Sequence, residues 1–340
     1  MPRRFYTALS PRNVAVLLLG FTLGGVLGYL LHSERVKSDA TWGPVRTAIG
    51  QYRLVQPLLA CDFPYDASDE RMSKLKSQLE GDISTAYKKK DASAASVYLR
   101  TMNSGGVVGI NENIAYDPAS MVKVVLMMTY VRVAELHPDI LTKQLTMTEE
   151  LLVTPGTAEY YGTTTLVVGT SYRVADLIDT MIVNSDNGAK DLLLANIPPE
   201  ELIRTLKDFG ITLPKGNTEG LKMSPKELSL FFRSLFSATY LDPTHSEVAL
   251  ELLTRTSFMD GIVAGTPYGT QVAHKFGEYV LDPETEKGDT LELHDCGVVY
   301  APGNPYFLCV MTRGSSHEKL ASLITKISQD TYYEITAARP

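Results

Sequence analysis

Strand-like segments occupy both ends of this chain and helix-like segments its middle, and that order restricts the fold more than any single motif. Ser96 to Met102 and Val107 to Ile110 read as strands about a Gly105-Gly106 turn. Thr270 to Lys275, Leu291 to Tyr300 and Pro305 to Thr312 read as three more. Before the first strands, Met72, Leu75, Leu79 and Ile83 recur at three- and four-residue steps, the spacing of an amphipathic helix. From Ser120 an apolar run continues to Leu136 as a buried helix. Val174 to Ile182, Leu192 to Leu194 and Leu202 to Leu206 mark further helices. Ser224-Pro225 opens another, with serine as N-cap and proline at the first helical position. Residues 316 to 336 close the chain as a helix. Both ends therefore contribute to one sheet, with a helical insertion between them.

Upstream of this pattern, Asn13 to Leu31 is a run of nineteen residues without a charge. At about 1.5 Å per residue, a helix of that length crosses the hydrocarbon core of a bilayer. Arg3, Arg4 and Arg12 precede it, which favours an N-terminus on the inner side. The alternative is a cleaved leader, but Tyr29-Leu30-Leu31-His32-Ser33 is too bulky for the usual cleavage site. The reading is a cytoplasmic segment 1–12, a transmembrane anchor 13–32, a stalk 33–55 and an exported domain 56–340. A formal charge of −7, from 32 basic and 39 acidic residues, argues against nucleic acid as a partner. Cys61, Cys296 and Cys309 lack zinc-ligand spacing. Cys296 and Cys309 fall opposite each other if a hairpin turns between Pro302 and Gly303. They read as buried free thiols in apolar strands, with a disulfide as the alternative.

Three motifs carry chemistry. In Ser120-Met121-Val122-Lys123, serine and lysine three apart share one helix face, about 5 to 6 Å between Cβ atoms. A serine needs a neighbouring base to become a nucleophile, and a buried lysine can supply one. The pattern is common: Ser73–Lys76 and Ser316–Lys319 also match, although among charges that mark solvated helix faces. Ser185-Asp186-Asn187 follows a helix; it can be a cap or turn, or a second hydroxyl with a substrate-holding amide. Lys275-Phe276-Gly277 lies on a strand; the lysine reads either as an edge-strand charge or as a cation aimed into a cleft. The glycine beside it would let a substrate backbone approach.

In this order the three motifs resemble those of the penicillin-recognising serine hydrolases, and most closely the class A β-lactamase-like branch. Pro118-Ala119-Ser120, Asp186-Asn187-Gly188-Ala189 and His294-Asp295-Cys296-Gly297-Val298-Val299-Tyr300 extend the resemblance over residues 56 to 336. It implies an α/β fold, an antiparallel sheet flanked by helices plus an all-helical subdomain, behind the N-terminal transmembrane helix. It implies that Ser120 is an acylated nucleophile, Lys123 its base and Ser185 a proton donor to the leaving nitrogen. Lys275 attracts a substrate carboxylate. Asn187, Phe276, Gly277 and Glu278 line the substrate site, with the N–H groups of Ser120 and Glu278 as oxyanion donors. Tyr160 or Tyr161 walls the cleft, or is an exposed loop tyrosine. No metal or organic cofactor is implied. The implied substrates are β-lactams, or D-Ala-D-Ala amides and esters of peptidoglycan peptides.

Two departures modify this expectation. Phe276 stands where the family usually carries a hydroxyl, and Glu278 adds a negative charge nearby. Residues 196 to 227 also lack the Glu-x-x-Leu-Asn pattern whose glutamate activates the deacylating water; Glu219 is the one substitute in view, and it reads first as a solvated loop glutamate. The expected enzyme deacylates slowly. The alternative is a catalytically weak penicillin-binding or envelope scaffold protein that retains the pocket.

Overall fold

The computed structural model describes residues 45–46, 52–60, 70–152, 164–213, 220–281 and 291–337. The anchor read at 13–32 lies outside them. Among the described residues, no helix is long and apolar enough to cross a membrane.

The sheet draws its strands from both ends of the chain. The first two strands are β1 (Ala94–Thr101) and β2 (Val107–Ile110). The other three are β3 (Val272–Val280), β4 (Leu291–Val299) and β5 (Tyr306–Gly314). Their order is β2-β1-β5-β4-β3, antiparallel throughout. The last strand in sequence is therefore the central one, and β3 forms an edge. Alternation along β5 shows why both faces are covered. Tyr306, Leu308 and Val310 point to one side; Phe307, Cys309 and Met311 point to the other. On the first side lie α1 (Glu70–Lys89), burying Met72, Leu75, Leu79 and Ile83 as their spacing predicts, and α8 (His317–Thr336).

The other side receives the helical insertion. It comprises α2 (Val122–Ala134), α3 (Val174–Val183), α4 (Asn187–Ala195), α5 (Pro199–Asp208), α6 (Pro225–Phe236) and α7 (Pro243–Leu253). Helix α2 is apolar on almost every side because it runs through the middle of this layer. Helix α6 opens with the expected Ser224 cap. The Ser224 hydroxyl and Glu227 carboxylate close a reciprocal capping box, a device worth about 1 kcal/mol.

Two expectations are corrected here. Leu54 and Val55, placed at the end of the stalk, are fully buried in the core. The carboxylate of Glu247 on α7 accepts the N–H groups of Arg53, Leu54 and Val55. The folded unit thus begins before residue 56. Cys296 and Cys309 are not free thiols but form a disulfide. The hairpin does turn between Pro302 and Gly303, which sets the two residues opposite each other with Cα atoms 3.9 Å apart on the same sheet face.

Candidate active site

Ser120 does not begin a regular helix. Residues Ala119–Met121 form a single 3₁₀ turn, and α2 starts behind it. Ala119 has φ +46°, a left-handed conformation that a non-glycine residue adopts only under constraint. Its N–H is taken by the Asp117 carboxylate at 2.9 Å. Ser185, at φ +55°, is similarly constrained, between the end of α3 and the start of α4. Asp186 caps α4 by accepting the N–H of Ala189 at 2.8 Å, and its other oxygen accepts from Thr165. The cap reading of Ser185-Asp186-Asn187 is realised by Asp186, which leaves the Ser185 hydroxyl and the Asn187 amide to face Lys123.

The three motifs meet. Lys123 Nζ lies 2.8 Å from Ser120 Oγ, 3.0 Å from Ser185 Oγ, 2.6 Å from the Ser185 carbonyl oxygen and 2.7 Å from Asn187 Oδ1. Lys275 Nζ reaches the same Ser185 Oγ at 3.0 Å and the Phe276 carbonyl oxygen at 2.9 Å. Both lysines and both serines are buried. The Ser185 carbonyl and the Asn187 amide oxygen can only accept, so Lys123 Nζ donates to both, and it lies within hydrogen-bond distance of both serine hydroxyls.

The edge strand β3 supplies the opposite wall. Tyr300 N–H donates to the Gln271 carbonyl, so residues 271, 273, 275 and 277 are the ones that exchange hydrogen bonds with β4. The main-chain groups of 274, 276 and 278 point off the sheet edge instead. Accordingly, Thr256 donates to the His274 carbonyl, and Lys275 to that of Phe276. By the same alternation the N–H of Glu278 faces the open edge, as an oxyanion donor must.

The side chains of Phe276 and Glu278 are corrected. The Phe276 ring is buried, stacks on Phe258 at 4.4 Å, and presents its face 4.0 Å from Lys275 Nζ. It supports the cation rather than lining a substrate surface. The Glu278 carboxylate is buried toward α8, 4.0 Å from His317 Nε2, not beside the substrate site. Gly277 has a different neighbour from the one expected. A Cβ there would meet the Pro118 oxygen at 3.1 Å, Met121 Cγ at 3.2 Å and Ala119 Cβ at 3.3 Å, so the close approach is that of the Ser120 turn itself. Tyr160, Tyr161 and Glu219 lie outside the described residues. The decoy pairs are elsewhere: Lys76 is exposed near Glu80, and Ser316 caps α8. Asp117-Pro118-Ala119 sets Ser120 apart from the other two pairs in the sequence, but the hold of the Asp117 carboxylate on the Ala119 N–H was not read from it.

A family model for the beta-lactamase enzyme family matches residues 75–335. The chain belongs to that family. PBP-A, also solved as an acyl-enzyme of a variant with penicillin G, is 21% identical over 76% of this chain and 95% of its own, with a TM-score of 0.62. A class A beta-lactamase from Mycobacterium abscessus is 22% identical over 76% and 97%, at 0.60. TLA-3 extended-spectrum beta-lactamase is 17% identical over 77% and 98%, at 0.66. At these identities the structural likeness is one of fold. No curated protein matches the chain. As a beta-lactamase family member, this protein has the serine hydrolase architecture on which its three motifs converge.

Proposed function

We propose that the protein is a membrane-anchored, exported serine hydrolase that acylates Ser120 with β-lactams or D-Ala-D-Ala-type amides and esters, and deacylates slowly. The observation that carries this reading is the contact of Lys123 Nζ with Ser120 Oγ, in a site closed by Ser185, Asn187 and Lys275. Lys123 takes the hydroxyl proton as the Ser120 oxygen bonds to the substrate carbonyl carbon. The N–H groups of Ser120 and Glu278 hold the developing oxyanion. Ser185 relays a proton to the nitrogen as the C–N bond breaks, which leaves an ester on Ser120. Lys275 attracts the substrate carboxylate.

Slow deacylation is supported by the missing Glu-x-x-Leu-Asn pattern in residues 196–227. Of the described acidic residues there, Glu200 is exposed, Glu201 pairs with Arg204, Asp208 accepts from Tyr240, and Glu227 closes the α6 capping box. Loss of a general base typically slows a step by roughly a hundred- to ten-thousandfold. The disulfide supports export to an oxidising compartment.

The test is incubation with a fluorescent penicillin, followed by intact mass. The protein should carry one adduct on Ser120 that persists for minutes or longer. Ser120→Ala should abolish the adduct while leaving the thermal midpoint nearly unchanged. Rapid multiple-turnover nitrocefin hydrolysis by the parent protein would refute slow deacylation, and an adduct that persists in Ser120→Ala would refute the nucleophile.

A further inference from the structure

The turn that presents Ser120 does not hold itself. The left-handed Ala119 holds a strained conformation that persists only where the surroundings dictate it. Two residues upstream, both main-chain polar groups of Asp117 are taken by side chains of β4. The Asp117 N–H donates to Glu292 Oε2 at 3.1 Å, and its carbonyl oxygen accepts from His294 Nε2 at 3.1 Å. Glu292 and His294 are fully buried. The other oxygen of Glu292 accepts from Arg313 on β5, at 3.0 Å from Nε and 2.6 Å from Nη2. Thr312 N–H donates to His294 Nδ1 at 3.3 Å. Because Nδ1 accepts, the imidazole proton sits on Nε2, facing Asp117. The Tyr116 ring packs edge-on against the imidazole, 5.3 Å between centroids, and its main chain pairs with Met223.

We infer that Glu292, His294 and Arg313 form a clamp that positions the nucleophile by fixing the main chain of Asp117. They are positioning residues for the acylation proposed above, on which this role rests; none of them contacts Ser120 or Lys123 in the bonds described. Stability is a poor explanation for such a group, since buried ion pairs replaced by well-packed apolar residues often leave a fold as stable or more so. Its geometry has a more direct result. It pins the N–H and carbonyl of one residue just before a strained turn, and so sets where the Ser120 oxygen stands relative to Lys123 and the Glu278 N–H.

Two amide substitutions separate the halves of the imidazole. His294→Asn keeps an acceptor near Nδ1 for Thr312 and removes the donor to Asp117. His294→Gln places an amide N–H near Nε2 and restores that donor. The readout is the single-turnover rate constant for acylation by a fluorescent penicillin, per titrated active site, with the affinity of the preceding complex measured alongside. His294→Asn should slow acylation on the order of a hundredfold with little change in affinity, as expected for a reacting group displaced by about 1 Å. His294→Gln should stay near the parent rate. Adding Ala119→Gly, which removes the left-handed strain, should recover part of the loss. Main-chain hydrogen exchange at 119–121 should speed up in the Asn variant and not in the Gln variant. Parent-like acylation and exchange in His294→Asn would overturn the clamp. A parent protein that takes no penicillin on Ser120 would refute the catalytic reading and leave the exchange comparison to decide the clamp by itself.

Discussion

The single hydrogen on Gly277 separates β3 from the turn that carries Ser120. A methyl group there meets a backbone oxygen at 3.1 Å and two side chains just beyond, so the turn must retreat by a few tenths of an ångström. Gly277→Ala should therefore slow acylation of Ser120 by on the order of tenfold or more, through misplacement of the nucleophile, while the thermal midpoint falls only slightly. A rate that stays level while the midpoint falls sharply would mean the contact serves packing alone. The side chains that meet at the candidate site were legible because all of them fell within the three motifs. The orientation of Phe276 and Glu278 was misread, although strand alternation carried it: once Lys275 points toward Ser185, Phe276 and Glu278 must turn to the other face. What could not be read was the left-handed Ala119, since alanine carries no signature of that conformation.

Helices α1 and α8 pack side by side, and a small acidic cluster lies between them. Burial, then the hydrogen bond shared with Asp330, pushes Asp82 on α1 up to about 6. Asp330 on α8, despite its own burial, is held below the usual carboxylate range by hydrogen bonds from Lys326, Asp82 and Gln78. A carboxyl raised on folding favours the native state below its ordinary value, and that contribution is lost as pH rises through the folded one. The parent protein should accordingly lose thermal stability between about pH 4 and pH 6 relative to Asp82→Asn, and the variant should be the more stable at neutral pH. Parallel melting curves across that range would show that Asp82 ionises normally. The polar cap before a proline gave the helix start at Ser224-Pro225. Asp242-Pro243 carries the same signal and opens α7, which was missed although its cap is followed by the apolar Val248, Ala249, Leu250, Leu252 and Leu253. The 3₁₀ turn before α2 was hidden because the apolar run Val122–Tyr130 reads as one unbroken helix.

At the scale of the whole molecule, the split sheet was legible in the order of strands and helices, whereas the disulfide was not, because opposition across a hairpin fixes proximity without fixing oxidation state. The anchor proposed for residues 13–32 predicts that the protein stays with membranes through high-salt and carbonate washing, its domain open to protease only from the outer face. Recovery of a soluble form beginning near Ser33 would instead identify a cleaved leader. The central place of β5 has a further consequence, one of timing. A ribosome delivers β1 some two hundred residues before β5, the strand that must lie beside it. Until β5 emerges, β1 has an open edge, β4 lacks its second neighbour, and no sheet of more than two strands can close. Helices of the insertion can form early from local contacts, but the layer they rest on arrives last. A chain built in this order remains threadable for most of its synthesis, which is the state in which a polypeptide can be passed across a bilayer before it locks.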